Sequence, residues 1–509
     1  MTSRVVSLSV VLLAVAGTAS AQSIPIQTVP LVPADQFDIF PSLTLAMGGV
    51  SIAVPDTLHD PFVNPAKGAR LRAARFFSAP TFYSVSHDAG AGRTLPLGIF
   101  STAGTWYGGL ALALQQVDAS HPSSPSLNFP GTLDTIFRLA APLPSGVPDT
   151  STGSESHGNA LAFALIGKEL PASGLSVGGS IGWAKLRALD GVDLLYPGSR
   201  RVDQSGETFD ARLGVLKEWT GDRSFEAIVL HERFRMTHEV TFLDVFWDPG
   251  TQRFLQSPRL ERNRDFSKRW GVQVKYERPL AASEWRIGWL ATANRISQPN
   301  TPNSDVLNIP QDPGLATAYE LGVGVSRTYG PSVFGMDVVY QPIWSTTWAE
   351  AQTPVVTVGG GTIPVGGRTV ENGFHFSNAL MRIGVSREVT LGPLTRTAAV
   401  QLGLAVRSVH YDLAQQDHVE AVTRHLEESW LEWTPTWGLS FRFPELELRY
   451  RGRVSHGTDR LVATPNQNGF IANPAVDVAP GFFPPAGSAM TLDGVHVVTH
   501  QFSVSLPLR

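Results

Sequence analysis

The chain has 509 residues, 40 Lys and Arg against 44 Asp and Glu, a formal charge of -4 and only 17% charged residues. That balance excludes a generally basic nucleic-acid binder, because no cationic surplus exists to neutralise phosphates. The lack of Cys excludes disulfide staples, thiolate metal sites and cysteine nucleophiles.

Residues 1–21 read as a secretory signal peptide. Arg4 supplies the positive start, Val5 to Gly17 is apolar, and Ala19-Ser20-Ala21 is a small-residue cleavage site before Gln22. Beyond it no stretch of 18 uncharged apolar residues occurs, so helical membrane spans are not expected. Residues 22–74 are rich in Pro, Gly and small residues and show no periodicity.

From residue 75 onward the pattern changes to period two. In 268–278, Trp270, Val272, Val274 and Tyr276 oppose Gln273, Lys275 and Glu277. In 316–328, Tyr319, Leu321, Val323 and Val325 oppose Glu320, Gly322, Gly324 and Ser326. In 445–454, Leu446, Leu448 and Tyr450 oppose Glu445, Glu447, Arg449, Arg451 and Arg453. A membrane-spanning strand needs about 9 to 11 residues with alternate side chains toward lipid. Aromatic residues gather near strand ends, among them Trp219, Trp270, Trp344 and Trp433, as interfacial girdles require. Tight links at 171–174, 220–222, 279–282, 330, 392–393 and 444 alternate with long polar segments at 118–157, 189–204, 242–265, 297–315, 346–372, 412–428 and 458–492. Short turns on one side and long loops on the other are the habit of outer-membrane barrels. The expected fold is therefore all-β: an antiparallel transmembrane β-barrel over 75–509. Parity along the chain permits 14 or 16 strands, and the pattern itself reads as 16.

The segment before the first strand runs Pro41-Ser-Leu-Thr-Leu-Ala-Met-Gly-Gly-Val-Ser-Ile-Ala-Val-Pro-Asp and ends in Asn64-Pro65-Ala66-Lys67. It resembles the signature of the FadL family of outer-membrane channels for long-chain fatty acids and other hydrophobic molecules, and of the related PorV-like barrels. Ala46, Met47, Gly48, Gly49, Asp56, Asn64, Pro65 and Ala66 carry the match. Thr44 and Leu45 stand where the family often has a basic residue, and Lys67 is closer to the PorV-like pattern. The resemblance covers about 25 residues and implies a lumenal hatch, residues 22–74, inside a barrel of fourteen strands. A lumen of this width cannot be filled by wall side chains, and irregular backbone can cross membrane depth only when buried in protein.

No Ser-His-acid set and no four-ligand metal spacing is evident, so neither an enzyme, a cofactor nor a metal is expected. His418 and His425 would share a face only if 412–428 were helical. Fatty-acid-type uptake would need an apolar capture site and a cation for a carboxylate. Candidate ligand residues are Phe242, Phe246 and Trp247 in a loop, and Arg382, Arg407 and Arg449 on the lumen face, where mutual ion pairing is the simpler role for the arginines. The expectation is an outer-membrane channel for passive uptake of fatty acids or other hydrophobic or amphiphilic small molecules. Outer-membrane lipid and the barrel-assembly machinery are its expected partners, and nucleic acid is not. The alternative is a PorV-like barrel that binds a protein partner and transports nothing.

Overall fold

The computed structural model describes residues 40–71, 73–85, 90–118, 156–189, 201–248, 250, 253–280, 284–298, 314–351, 353–390, 397–456, 460–463, 490–493 and 496–508. The expected signal peptide, residues 22–39 of the expected hatch and the long segments 119–155 and 464–489 lie outside them.

The first strand, β1, is broken into Arg75–Ser78 and Thr81–Val85. Both halves pair with the same two neighbours, so they are one strand interrupted at Ala79-Pro80. Proline donates no hydrogen bond to a ladder and marks such interruptions. The chain then climbs and descends through β2 (Gly90–Ala103), β3 (Trp106–Asp118), β4 (Ser156–Leu170), β5 (Leu175–Leu186), β6 (Arg201–Trp219), β7 (Arg223–Asp248) and β8 (Arg253–Pro279). It continues through β9 (Trp285–Gln298), β10 (Gly314–Tyr329), β11 (Ser332–Glu350), β12 (Arg368–Val389), β13 (Thr397–Asp417), β14 (Val422–Arg442), β15 (Glu447–His456) and β16 (His496–Pro507). Every pairing is antiparallel, and β16 pairs with β1, so sixteen strands among the described residues close a barrel. The pattern reading of sixteen holds. The fourteen implied by the family resemblance does not.

Closure follows from the solvent. Hydrocarbon offers no hydrogen bonds, so a spanning sheet can leave no open edge. The outer row is apolar and exposed: Leu110, Leu112 and Leu114 of β3 are 61%, 66% and 69% exposed, while Ala111, Ala113 and Gln115 between them are buried. Trp270, Val272 and Val274 face outward on β8, and Lys275 and Glu277 face inward and are buried. Trp106, Trp219 and Tyr329 form an exposed belt near the short turns. Trp183, Trp270, Trp344 and Trp433 form a second, about eight to twelve residues further along their strands. A closed barrel with an apolar band between two aromatic belts is an outer-membrane β-barrel.

The short turns at 171–174, 220–222, 330 and 444 fall where expected, with left-handed backbone at Gly174, Gly221, Asp222 and Gly330, while residues 281–283 and 391–396 of the other two links lie outside the described residues. The long side differs in one respect. Segments 242–265 and 412–428 are not loops: β7 and β8 stay paired out to Asp248 and Arg253, and β13 and β14 out to Asp417 and Val422. Alternation alone cannot reveal this, because a strand beyond the bilayer is solvated and its two faces lose their apolar contrast.

A charge placed on the outer row should be costly and one on the inner row much less so. Leu112→Arg is expected to destabilise the barrel by about 2–4 kcal/mol in urea unfolding from lipid vesicles, an outward midplane cost.

Candidate functional site

Residues 40–71 contain only short helical turns: Leu45–Met47, Asp60–Val63 and Pro65–Arg70. They pack on the inward faces of the strands. Gly384 of β12 and Gly403 of β13 lie against Met47, and Gly438 of β14 lies against Ala46. Gly288, Gly322 and Gly324 of β9 and β10 receive Ile52, and Gly335 of β11 receives Val50 and Val54. A Cβ at Gly48 would stand 2.8 Å from the carbonyl oxygens of Ile383 and Leu404, and its φ of 72° also favours glycine. The wall is thus recessed by glycines along the line the segment follows.

The same wall satisfies the segment's backbone. Thr436 Oγ1 accepts from Gly48 N at 2.8 Å and donates to Ala46 O at 3.0 Å. Asp337 accepts from Ser51 N at 2.7 Å and Ile52 N at 3.2 Å. Ser326 donates to Ala53 O, Gln401 to Leu43 O, and Arg212 to Phe62 O and Val63 O. Within the segment, buried Asp56 accepts from the backbone of Leu43, Thr44, Leu58 and His59 and from the Ser42 hydroxyl, pinning two turns together.

The Asn-Pro-Ala motif is wholly buried. Asn64 Oδ1 accepts from Ala66 N at 3.0 Å, capping the following helical turn, and Asn64 Nδ2 donates to Glu226 at 3.3 Å and Val215 O at 3.4 Å. Gly178 of β5 lies against Pro65, and Gly214 of β6 against Asn64, so the motif fits only where these strands lack side chains. Tyr107 closes the site by donating to Ala66 O.

Beside the motif runs a line of buried ion pairs. Lys67 Nζ is 3.0 Å from Asp60 and 2.8 Å from Glu226; Lys275 is 3.7 Å from Glu226 and 2.8 Å from Glu277; Arg286 is 3.5 Å from Glu277. Lys275 also donates to Ser51 O at 2.8 Å. Three cations meet three carboxylates, so the line is neutral. Burial alone would lower the Lys67 pKa; the carboxylates of Asp60 and Glu226 more than reverse that and hold it above the ordinary lysine value. Against the other side of the segment stands an aromatic cluster, with Phe40 stacked on Phe62 at 3.8 Å and Phe77, Phe100 and Phe163 around them.

The eight expected motif residues divide between two places: Ala46, Met47 and Gly48 seat on β12 to β14 with Gly49 beside Arg382, Asn64, Pro65 and Ala66 seat at β5 and β6, and Asp56 bonds within the segment. The expected ligand residues are not brought together. Arg382, Arg407 and Arg449 all face the lumen, but each has its own acidic neighbours: Asp337 and Glu320 for Arg382, Glu432 for Arg407 and Glu447 for Arg449. Phe242, Phe246 and Trp247 sit on the paired extension of β7 rather than in a loop, and their side chains lie outside the described set. His418 and His425 flank the β13–β14 turn and share no helix. A trio of His410, Asp412 and Glu427 has ligand atoms within 4.8 Å of one another on the outward face. Lys67 and Glu226 were not singled out as partners in the sequence, since 159 residues separate them and only closure of the barrel joins them.

Two substitutions test this arrangement. Lys67→Met leaves Asp60 without the Lys67 cation and Glu226 with Lys275, at 3.7 Å, as its cation in the line; breaking such a buried pair costs about 3–5 kcal/mol, measurable as earlier urea unfolding. Because the folded Lys67 pKa is raised, its stabilisation is complete below the unfolded lysine pKa and is lost only as pH rises through the higher folded value. The variant's deficit should therefore be constant from neutral pH to about pH 9. Gly403→Val should expel the turn at Met47 and Gly48 from the wall, read as protease cleavage within 40–71 while the barrel keeps its heat-modifiable migration on gels.

No protein-family model matches the chain, and no curated protein does so. Among solved structures it is similar to a FadL homologue of Pseudomonas aeruginosa, with 13% identity over 92% of this chain and 98% of that one and a TM-score of 0.42. It is similar to the toluene transporter TodX of Pseudomonas putida, with 10% identity, 91% and 97% coverage and a TM-score of 0.37. It is likewise similar to the toluene transporter TbuX of Ralstonia pickettii, with 10% identity, 92% and 98% coverage and a TM-score of 0.38.

Proposed function

We propose that the protein is an outer-membrane channel for passive uptake of a hydrophobic or amphiphilic small molecule, with residues 22–74 as its plug and no catalytic step. The observation that carries this reading is a pair of apolar clusters on the inward face of the wall, set among polar inward residues such as His238 and Asn372. On β7, Phe234, Met236 and Val240 point inward and are buried with Ala184, Leu186 and Leu189. On β12 and β13, Phe374, Phe376, Val409 and Leu413 do the same. Both groups lie on the long-loop side of the plug contacts, and the aromatic cluster at Phe62 continues beside the plug. A water-filled pore has a polar interior; apolar inward patches suit a ligand whose burial contributes about 0.8 kcal/mol per CH2.

The ligand class we favour is a fatty acid-like amphiphile or an apolar aromatic such as toluene. Arg382 is the cation best placed among the three candidate arginines to meet a carboxylate, because it stands beside Gly49 of the plug. Movement is downhill and requires the plug to shift, which its neutral ion-pair line permits without exposing a net charge.

Uptake of fluorescent fatty acid and of toluene into vesicles carrying the barrel tests this reading. Phe376→Asp together with Phe234→Asp is expected to reduce uptake by about tenfold or more, given roughly 1.4 kcal/mol per decade. Equal uptake by vesicles with wild-type barrel and without barrel, coupled with capture of one exported protein, would favour the partner-binding alternative.

A further inference from the structure

Just beyond the aromatic belt on one side, the outward face changes character. Two residues along β5 from Trp183 stands Lys185; two and four along β7 from His231, which stacks on Trp270 at 4.2 Å, stand Arg233 and Arg235; two along β8 from Trp270 stands Lys268. Arg233 is the direct cross-strand partner of Lys268. Like charges opposed on one face of a sheet are destabilising, and here both side chains, with Arg235, also crowd the ring of Phe266 at 5.1–5.2 Å. Among the described residues Glu207 is the acid that pairs with this group, 3.9 Å from Arg235 with both side chains half exposed, so one weak pair there stands against four cations. Glu232 turns to the lumen face and is taken by Arg269. A groove of about 790 Å³ runs between Trp183, Lys185, Glu207, Arg235 and Phe266.

We infer that this patch binds the phosphate groups of a phosphorylated glycolipid in the outer leaflet. Its position, at headgroup depth above an aromatic belt and on the lipid side of the wall, excludes the lumen ligand as its occupant. Guanidinium groups fork onto phosphate oxygens, and an anion between Arg233 and Lys268 turns their repulsion into attraction. The acyl chains would lie along the exposed Trp183, Ile181, Phe209 and Leu213. The inference requires only the barrel's placement in the membrane and stands whether or not the barrel transports anything.

The test titrates the purified full-length barrel in detergent with diphosphorylated lipid A and with dephosphorylated lipid A. The wild type should bind the phosphorylated form roughly tenfold more tightly or better, since each basic residue at a membrane surface adds a comparable electrostatic gain. The preference should shrink in about 0.5 M salt. Arg233→Gln combined with Arg235→Gln and Lys268→Gln should lose the preference, and Arg233→Lys with Arg235→Lys should keep most of it; heat-modifiable migration verifies that both variants are folded barrels. Equal binding of the two lipids by the wild type would overturn the inference, as would an unchanged preference in the triple variant. Complete displacement of lipid A by millimolar inorganic phosphate would also overturn it, in favour of a free-anion site.

Discussion

An irregular peptide segment can lie inside this barrel only because the wall supplies its hydrogen-bond partners. Hydrocarbon surrounds the strands, and within the segment only short helical turns bond their own backbone. The polar groups at Leu43, Ala46, Gly48, Ser51, Ile52 and Ala53 are instead met by Gln401, Thr436, Asp337, Lys275 and Ser326. These wall residues come from strands β8, β10, β11, β13 and β14, so the segment is held by residues scattered over more than 160 positions of sequence. Without closure of the sheet none of them would converge.

Charge and shape act together on that segment. The glycine recesses set its path, and the ion-pair line from Asp60 through Lys67, Glu226, Lys275 and Glu277 to Arg286 sets its register. Removing two charges from water costs several kcal/mol per ion and is compensated only by good geometry and further hydrogen bonds. Here the compensation is shared: Asn64 donates to Glu226, and Lys275 donates to a backbone carbonyl. A buried polar line of this kind specifies one seat among many on an otherwise smooth inner surface.

The sequence carries the barrel more openly than the site. Period two places Leu112 outward and Ala113 inward because lipid and lumen demand opposite chemistry, and tight turns at Gly174 and Gly330 punctuate the pattern. The upper hairpins escaped that logic: past the membrane both faces of β7 and β8 meet water or protein, and 242–265 reads as a polar loop. In the site, Asn64, Pro65 and Ala66 are visible as a local motif. Lys67 is visible only as a neighbour of that motif, since its partner Glu226 is set by barrel closure. The glycines at 178, 214, 384 and 403 are equally silent, because a glycine in a strand pattern does not say which backbone approaches it.

The length of the β7–β8 hairpin has a consequence for where the molecule meets its surroundings. Beyond the level of His231 and Trp270 the paired strands run on for a further 17 residues to Asp248, which at about 3.3 Å per residue and a tilt near 40° lifts the tip of this one hairpin roughly 40 Å above the belt. Among the described residues the wall does not rise so far elsewhere: β15 and β16 pair no further than His456 and His496, and β9 and β10 no further than Gln298 and Gly314. The upper edge of the barrel is therefore steeply uneven, highest at β7 and β8 and lowest where β15 and β16 meet.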